Sequence, residues 1–274
     1  MDPTLEKQPN DLQASSNWEV PAYRLDVLAE RAHEYCVLIP VINEGQRIAD
    51  LLRRMHEIGT SSLADIIIVD GGSNDGSLEL SMLKEYGVRT LITKTGPGKL
   101  SAQLRCGYAY VLQQGYVGVV TIDGNNKDDP GAIAAFIEAL RSGVDFVQAS
   151  RFIAGGIGEN TPLSRWIAIR LVHAPLSSLA ARKWWTDTTQ GFRAYSRRLL
   201  IDERVQPFRD IFRTYELLAY LSVRAPRLGF NCQELPTARR YPAGEVPTKI
   251  SSIRGNLEVF KILLAACCGN YNPK

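Results

Sequence analysis

Cys36-Val37-Leu38-Ile39-Pro40-Val41-Ile42, followed at once by Asn43-Glu44, is an unbroken apolar run that stops on two polar side chains. A strand with one wet face alternates apolar and polar residues, whereas an unbroken run marks a strand covered on both faces. The pattern recurs at Asp65-Ile66-Ile67-Ile68-Val69-Asp70, Val88 to Thr93, Val117 to Asp123 and Val144 to Ala149. Between these runs the apolar spacing turns helical. Glu44 to Ile58 carries Ile48, Leu51, Leu52 and Met55 at that period, and Ser77 to Tyr86, Lys99 to Gln114 and Pro130 to Arg141 read the same way. Strands alternating with helices predict an α/β fold with a mainly parallel sheet flanked by helices on both faces.

In such sheets ligands bind beyond the carboxyl ends of the strands. That edge gathers Asn43, Glu44, Asp70, Ser73, Lys94, Asp123 and Asn125. The stretch Ile122-Asp123-Gly124-Asn125-Asn126-Lys127-Asp128-Asp129 is the densest of these polar stops. A carboxylate at the mouth of a buried strand needs a partner or a cation. Asp and Asn oxygens suit a hard divalent ion, but the same residues also build ordinary turns, and the pattern alone leaves both readings open.

Residues 1–34 read as a polar extension ending in a short helix from Val27 to His33. Beyond residue 150 come a glycine-rich loop at Arg151 to Gly156, a long helical stretch from Leu163 to Arg182, and a strand-like Thr188 to Tyr195. A helix from Ile211 to Val223, a strand from Leu228 to Leu235, a basic loop from Arg239 to Lys249 and a helix from Ser251 to Cys267 follow.

Composition narrows the function. A formal net charge of +3 over 274 residues, with no dense basic tract, argues against nucleic acid. Five cysteines without a Cys-x-x-Cys pair favour a reducing compartment, and three scattered histidines show no metal-ligand spacing. The polar, mixed-charge Met1 to Asn17 carries no signal-peptide pattern, and no apolar run approaches the ~18 residues of a spanning helix. A cytoplasmic protein is expected. Gly96-Pro97-Gly98-Lys99 lacks both the earlier glycine and the following Ser or Thr of a phosphate loop, although Lys99 at a helix start can still meet a phosphate. No Gly-x-Gly-x-x-Gly follows the first strand and no Gly-x-Ser-x-Gly elbow is present, which disfavours dinucleotide cofactors and acyl-transfer hydrolases.

Taken in order, Val37 to Glu44, Ile67 to Gly76 and Ile122 to Asn125 resemble the inverting family 2 glycosyltransferases of the GT-A fold. Ala149-Ser150-Arg151-Phe152 with Gly155-Gly156, and Asp187 to Arg193, look like the polyprenyl-phosphate branch, similar to dolichyl-phosphate mannose synthases. The resemblance spans roughly residues 35 to 255. It implies a nucleotide-sugar-binding half over 35–150 and an acceptor-binding half of the same domain over 151–274. Pro40, Asn43 and Glu44 would line the nucleotide pocket, Asp70 would face the base with Ser73 nearby, and Lys99 would join the donor site. Asp123 and Asn125 would hold Mg²⁺ or Mn²⁺ on the donor diphosphate. Arg151, Arg165 and Arg239 or Arg240, with Arg240 the first choice, would hold phosphates, and Lys249 would lie in a loop over the site.

Two departures stand out. Asn125 replaces the second acid of the Asp-x-Asp pattern, removing one negative charge, and Lys127 stands where the branch usually has Gln at a metal-facing position. Both weaken the expectation of metal dependence. Relatives that act on sugar hydroxyls carry an acidic pair where this chain reads Arg213-Thr214-Tyr215-Glu216, leaving Glu216 as either a base or a structural bridge. The missing pair and the arginines favour an acceptor that is already ionised. The leading expectation is sugar transfer from a nucleotide sugar to a polyprenyl phosphate, at the inner face of the membrane. A soluble hydroxyl acceptor with Glu216 as base, and a nucleotide-binding homologue without turnover, are the alternatives.

Overall fold

The computed structural model describes residues 17–242 and 253–274. Its first element is an edge strand, β1 (Tyr23–Val27), followed by β2 (Tyr35–Val41), α1 (Gln46–Glu57), β3 (Asp65–Asp70), α2 (Leu80–Glu85), β4 (Val88–Lys94), α3 (Leu100–Gln113) and β5 (Gly118–Thr121). Then come α4 (Ile133–Arg141), β6 (Phe146–Ser150), β7 (Ile157–Glu159), α5 (Leu163–Ile167), a π-helical segment (Ala168–His173) and α6 (Ala174–Ala181). The chain continues through β8 (Arg193–Ser196), α7 (Arg197–Ile201), α8 (Glu216–Arg227), β9 (Cys232–Pro236), β10 (Ala238–Arg240) and α9 (Ile253–Cys267).

Eight strands form one sheet in the order β1-β4-β3-β2-β5-β8-β6-β9, and β10 pairs with β7 in a second, two-stranded sheet. The four pairings β4-β3, β3-β2, β2-β5 and β6-β9 are parallel; β1-β4, β5-β8 and β8-β6 are antiparallel. Every residue of β2 is buried. Its side chains alternate between two cores: Cys36 and Leu38 pack with α3 and α8, while Val37, Ile39 and Val41 pack with α1 and α4. The unbroken apolar run is therefore the signature of two covered faces. The helical positions Ile48, Leu51, Leu52 and Met55 are those α1 buries.

The predicted helix at Val27 to His33 is instead the end of β1 and a loop. The backbone N–H groups of Leu28 and Ala29 donate to the Arg89 carbonyl (2.7 and 3.2 Å), continuing the sheet edge. Thr188 to Phe192 is irregular, and only Arg193–Ser196 joins the sheet, antiparallel to both neighbours. Ile211 to Tyr215 precede α8 rather than opening it.

The chain passes from β2 to β3 and β4 on one side, then crosses to β5 on the other. The reversal opens a crevice beyond the ends of β2 and β5, which places Pro40 beside Asp123. α3 lies against this centre at close range. A Cβ on Gly107 would meet Leu38 Cδ atoms at 2.6 and 2.8 Å and Val69 Cγ2 at 2.8 Å. Gly107→Val is expected to overpack the sheet and lower the unfolding free energy by ~1–3 kcal/mol, read as an earlier urea midpoint at unchanged m-value.

Candidate active site

A cavity of about 1440 Å³ opens at this crevice. Pro40, Glu44, Lys99, Asp123, Asn125, Arg151 and Arg165 all line it. Asn43, Asp70 and Ser73 do not; they brace its wall. Asp70 Oδ1 accepts from the Ser73 N–H (2.8 Å) and hydroxyl (2.6 Å), Ser73 Oγ accepts from the Asn43 N–H (2.9 Å), and Asn43 Oδ1 accepts from the Asn74 N–H (2.9 Å). Gln103, which the sequence did not single out, also lines the cavity. Its amide donates to the carbonyls of Val41 (2.9 Å) and Val69 (3.1 Å), stapling two strand ends.

The loop after β5 is the polar floor. Arg54 holds it from behind, donating to Asn126 Oδ1 (2.8 Å) and Asp129 Oδ1 (3.2 Å). The backbone of β10 is laced to it from the front: the Asp129 N–H donates to the Ala238 carbonyl (3.0 Å) and the Arg240 N–H to the Lys127 carbonyl (2.8 Å). Strand alternation then decides which arginine faces the site. Arg239 is buried and lines the cavity, whereas Arg240 turns outward to Glu159 (3.0 Å) and lies outside it. The expectation for Arg240 is thus corrected in favour of Arg239, which two-residue periodicity places on the opposite face.

Arg239 lies between two carboxylates. Its Nη1 is 2.5 Å from Asp128 Oδ2, and its Nη2 is 3.3 Å from Asp123 Oδ2. Burial disfavours the Arg239 charge, but Asp128 and Asp123 outweigh it and hold the guanidinium charged. Asp128 is fully buried, and its carboxyl is raised above the usual range chiefly by that burial. Gly191 leaves the room Asp123 needs, because a Cβ there would overlap Asp123 Oδ1.

Asp123 and Asn125, which the resemblance implies as cation ligands, both line the cavity. Asp123 Oδ2 is taken by Arg239, and Asn125 Oδ1 accepts the Lys127 N–H (3.2 Å) in a local turn. Among the described residues, no three His, Cys, Asp or Glu side chains converge as a metal site. Lys127 is itself buried, its ammonium 5.2 Å from the Tyr241 ring, and burial followed by the Arg239 charge lowers its pKa.

Tyr241 is the hub of the cationic wall and was not anticipated. Arg151 and Arg165 both donate to its hydroxyl (3.2 Å each), and Arg239 stacks over its ring at 5.7 Å. Burial pushes the phenol upward, but Arg239, Arg151 and Arg165 outweigh it and bring it down to about 8. Its neighbours in Arg239-Arg240-Tyr241 were the one available signal, an aromatic embedded in a basic run. Arg151 is anchored in turn by Asp187 (2.7 Å), which also accepts from Thr189 Oγ1 (2.9 Å) and Gln190 (2.8 Å).

Glu216 is engaged elsewhere. Its carboxylate accepts from the Thr214 N–H (2.6 Å) and hydroxyl (2.7 Å), bracing the turn before α8, and does not line the cavity. Lys249 lies outside the described residues. The cavity also has an apolar lining from the helices, with Ile169, Val172, Leu218, Val259 and Phe260. Its wall includes the π-helical segment, which precedes Pro175. Proline cannot supply the N–H that an α-helix would send to the Leu171 carbonyl, and the helix widens there.

The model of glycosyl transferase family 2 matches residues 36–203, more than half of the chain. The chain belongs to glycosyl transferase family 2. It is a glycosyltransferase. Polyprenol monophosphomannose synthase of Mycolicibacterium smegmatis is 27% identical over 203 residues, covering 73% of this chain and 75% of that protein. Dolichyl-phosphate hexose transferase of Haloferax volcanii is 28% identical over 235 residues, covering 85% and 94%. Glucosyl-3-phosphoglycerate synthase of Mycobacterium tuberculosis, solved with Mn²⁺, UDP and glucosyl-3-phosphoglycerate, superposes with a TM-score of 0.57 at 17% identity, over 87% of this chain and 80% of that one. Mannosyl-3-phosphoglycerate synthase of Rubrobacter xylanophilus gives 0.58 at 13% identity, over 86% and 73%. The fold is GT-A, as in these structural neighbours.

Two outcomes follow from the cationic wall. Asp187 is buried, and burial alone would raise its carboxyl; the Arg151 charge and its hydrogen bonds reverse this and lower it. Its stabilising contribution is therefore complete above the unfolded value of ~3.9 and lost as pH falls through the lower folded value. Arg151→Met, which strands that charge, should cost ~3–5 kcal/mol at pH 7, with a smaller penalty at pH 3, in paired denaturation curves. In an ultraviolet titration, one phenol should ionise near pH 8 in the native chain and be missing from Tyr241→Phe. Stability from that phenolate is lost as pH falls through about 8.

Proposed function

We propose that this chain transfers a sugar, with inversion, from a nucleotide sugar to a polyprenyl phosphate at a membrane surface. The observation that carries the reading is the mixed lining of one cavity: Lys127, Arg151, Arg165 and Arg239 gather around Tyr241, and Ile169, Val172, Val259 and Phe260 add an apolar lining from the helices. An acceptor with an anionic head and a hydrocarbon tail matches both kinds of lining. The donor lies against Pro40, Glu44 and Lys99, with its diphosphate toward the floor near Asp123. The acceptor phosphate is already ionised near neutral pH and needs no base, consistent with a Glu216 engaged by Thr214. The arginines align it on the face opposite the leaving group. The curated relatives named for lipid-phosphate acceptors support the same acceptor class.

The helical stretch beside the apolar lining supports membrane contact. Leu163, Leu171, Leu179 and Trp184 are 72%, 66%, 80% and 74% exposed, with Trp166 and Ile167 also exposed. Arg182 and Lys183 flank Trp184, so the patch has both an apolar face and the cations that favour anionic headgroups. No helix among the described residues is long and apolar enough to cross a membrane. The patch would therefore rest on the surface, with the lipid drawn into the cavity. A second reading, a small soluble phosphorylated acceptor, is favoured by the named acceptors of the structural neighbours.

The test is a donor screen with labelled sugars, run with vesicles containing polyprenyl phosphate and, separately, with 3-phosphoglycerate. Label is expected in the lipid phase. Leu171→Glu with Trp184→Glu should lower vesicle flotation at least about fivefold without altering the fold. Label found only in an aqueous product would overturn the lipid reading and support the second.

A further inference from the structure

Resting on the transferase reading, the seat of Arg239 carries a sharper statement about how the donor is held. Metal-assisted transfer needs a cation between the enzyme's acidic residues and the departing diphosphate. Here a cation belonging to the protein is built into that place. The Arg239 guanidinium bridges Asp128 (2.5 Å) and Asp123 (3.3 Å). Its position is a property of the backbone, since Asp128 and Arg239 form a β-bridge framed by the Asp129-to-Ala238 and Arg240-to-Lys127 hydrogen bonds. One neighbouring oxygen is also committed, and one is not. Asn125 Oδ1 serves the Lys127 N–H, and the other Asp128 oxygen is buried without a hydrogen-bond partner. A divalent ion arriving at Asp123 Oδ2 would meet the Arg239 charge, which the buried Asp128 holds in place. A second cation, Lys127, stands at the same floor and lines the cavity.

We propose that Arg239 and Lys127 together take the part of the divalent cation, so that this chain binds a nucleoside diphosphate and releases it as leaving group without Mg²⁺ or Mn²⁺. In the step, the bond between the anomeric carbon and the β-phosphate oxygen breaks and its electron pair departs on that oxygen. A bond from an acceptor phosphate oxygen to the same carbon forms on the opposite face. No proton moves, because the attacking oxygen is already ionised. The charge that develops on the diphosphate is met by the guanidinium and the ammonium, which are in place before the reaction and need no reorganisation. Asp123 and Asp128 orient the guanidinium rather than ligate a metal. Asn125 follows from this arrangement: with a resident cation, a second acid at that position has no ion to hold.

The experiment is calorimetric titration of the full chain with UDP and with GDP, in EDTA and in Mn²⁺, together with donor turnover in the same two buffers. At least one nucleotide should bind in EDTA with a Kd within about threefold of that in Mn²⁺, and turnover should persist to the same degree. Arg239→Gln should weaken binding in EDTA more than tenfold. Because that variant strands Asp128, the double variant Asp128→Asn with Arg239→Gln, neutral at both positions, serves as the folded control and should show the same loss. Binding or turnover that requires Mn²⁺ would overturn the inference while leaving the transferase reading intact. Undiminished binding by the double variant would also overturn it. Absence of nucleotide binding in both buffers would overturn both.

Discussion

The buried ion triad of Asp128, Arg239 and Asp123 is the constraint around which the site is arranged. A fully buried carboxylate is costly unless paired, and Asp128 is paired by an arginine that comes from the far end of the chain. Satisfying it ties the loop after β5 to β10, and β10 to β7, so the crevice between β2 and β5 acquires a front wall. The same backbone lacing carries Tyr241 over the floor. There its hydroxyl accepts from Arg151 and Arg165. A single electrostatic debt thereby gathers four cations in one place, with Asp123, Asp128 and Asp187 among the charges set against them.

This concentration of positive charge makes sense as the complement of phosphate. A cluster of guanidinium groups repels itself unless anions are present. In the unliganded chain the buried acids and the acidified phenol of Tyr241 supply part of the compensation. A diphosphate or an acceptor phosphate would complete it, with Arg offering two oxygens' worth of contact at once. On the proposed lipid reading, the apolar lining of the cavity and the exposed apolar residues of the neighbouring helix would set the charged head inward and the hydrocarbon outward.

Much of the framework was readable in the chain. The run Asp65 to Asp70 is the strand it looked to be, and the four apolar positions of α1 are those it buries. Both rest on local periodicity. What could not be read depended on register between distant segments. Tyr23–Val27 fell within a stretch that read as a polar extension, yet it forms an edge strand because β4 offers it a free ladder. Arg239 and Arg240 are indistinguishable in sequence, and only the pairing of β10 with β7 decides which is inside. Tyr241 carried no motif at all. Asn125 and Lys127 were visible as departures from a pattern, but their meaning depended on Arg239, some 110 residues later in the chain.

The most direct measurement is a crystal structure of the full chain with a nucleoside diphosphate, grown in EDTA. The account predicts the β-phosphate within hydrogen-bonding distance of Arg239 or Lys127, with the Arg239–Asp128 pair intact. A diphosphate bound away from this floor, or an Arg239 swung out of the space between Asp123 and Asp128, would contradict it.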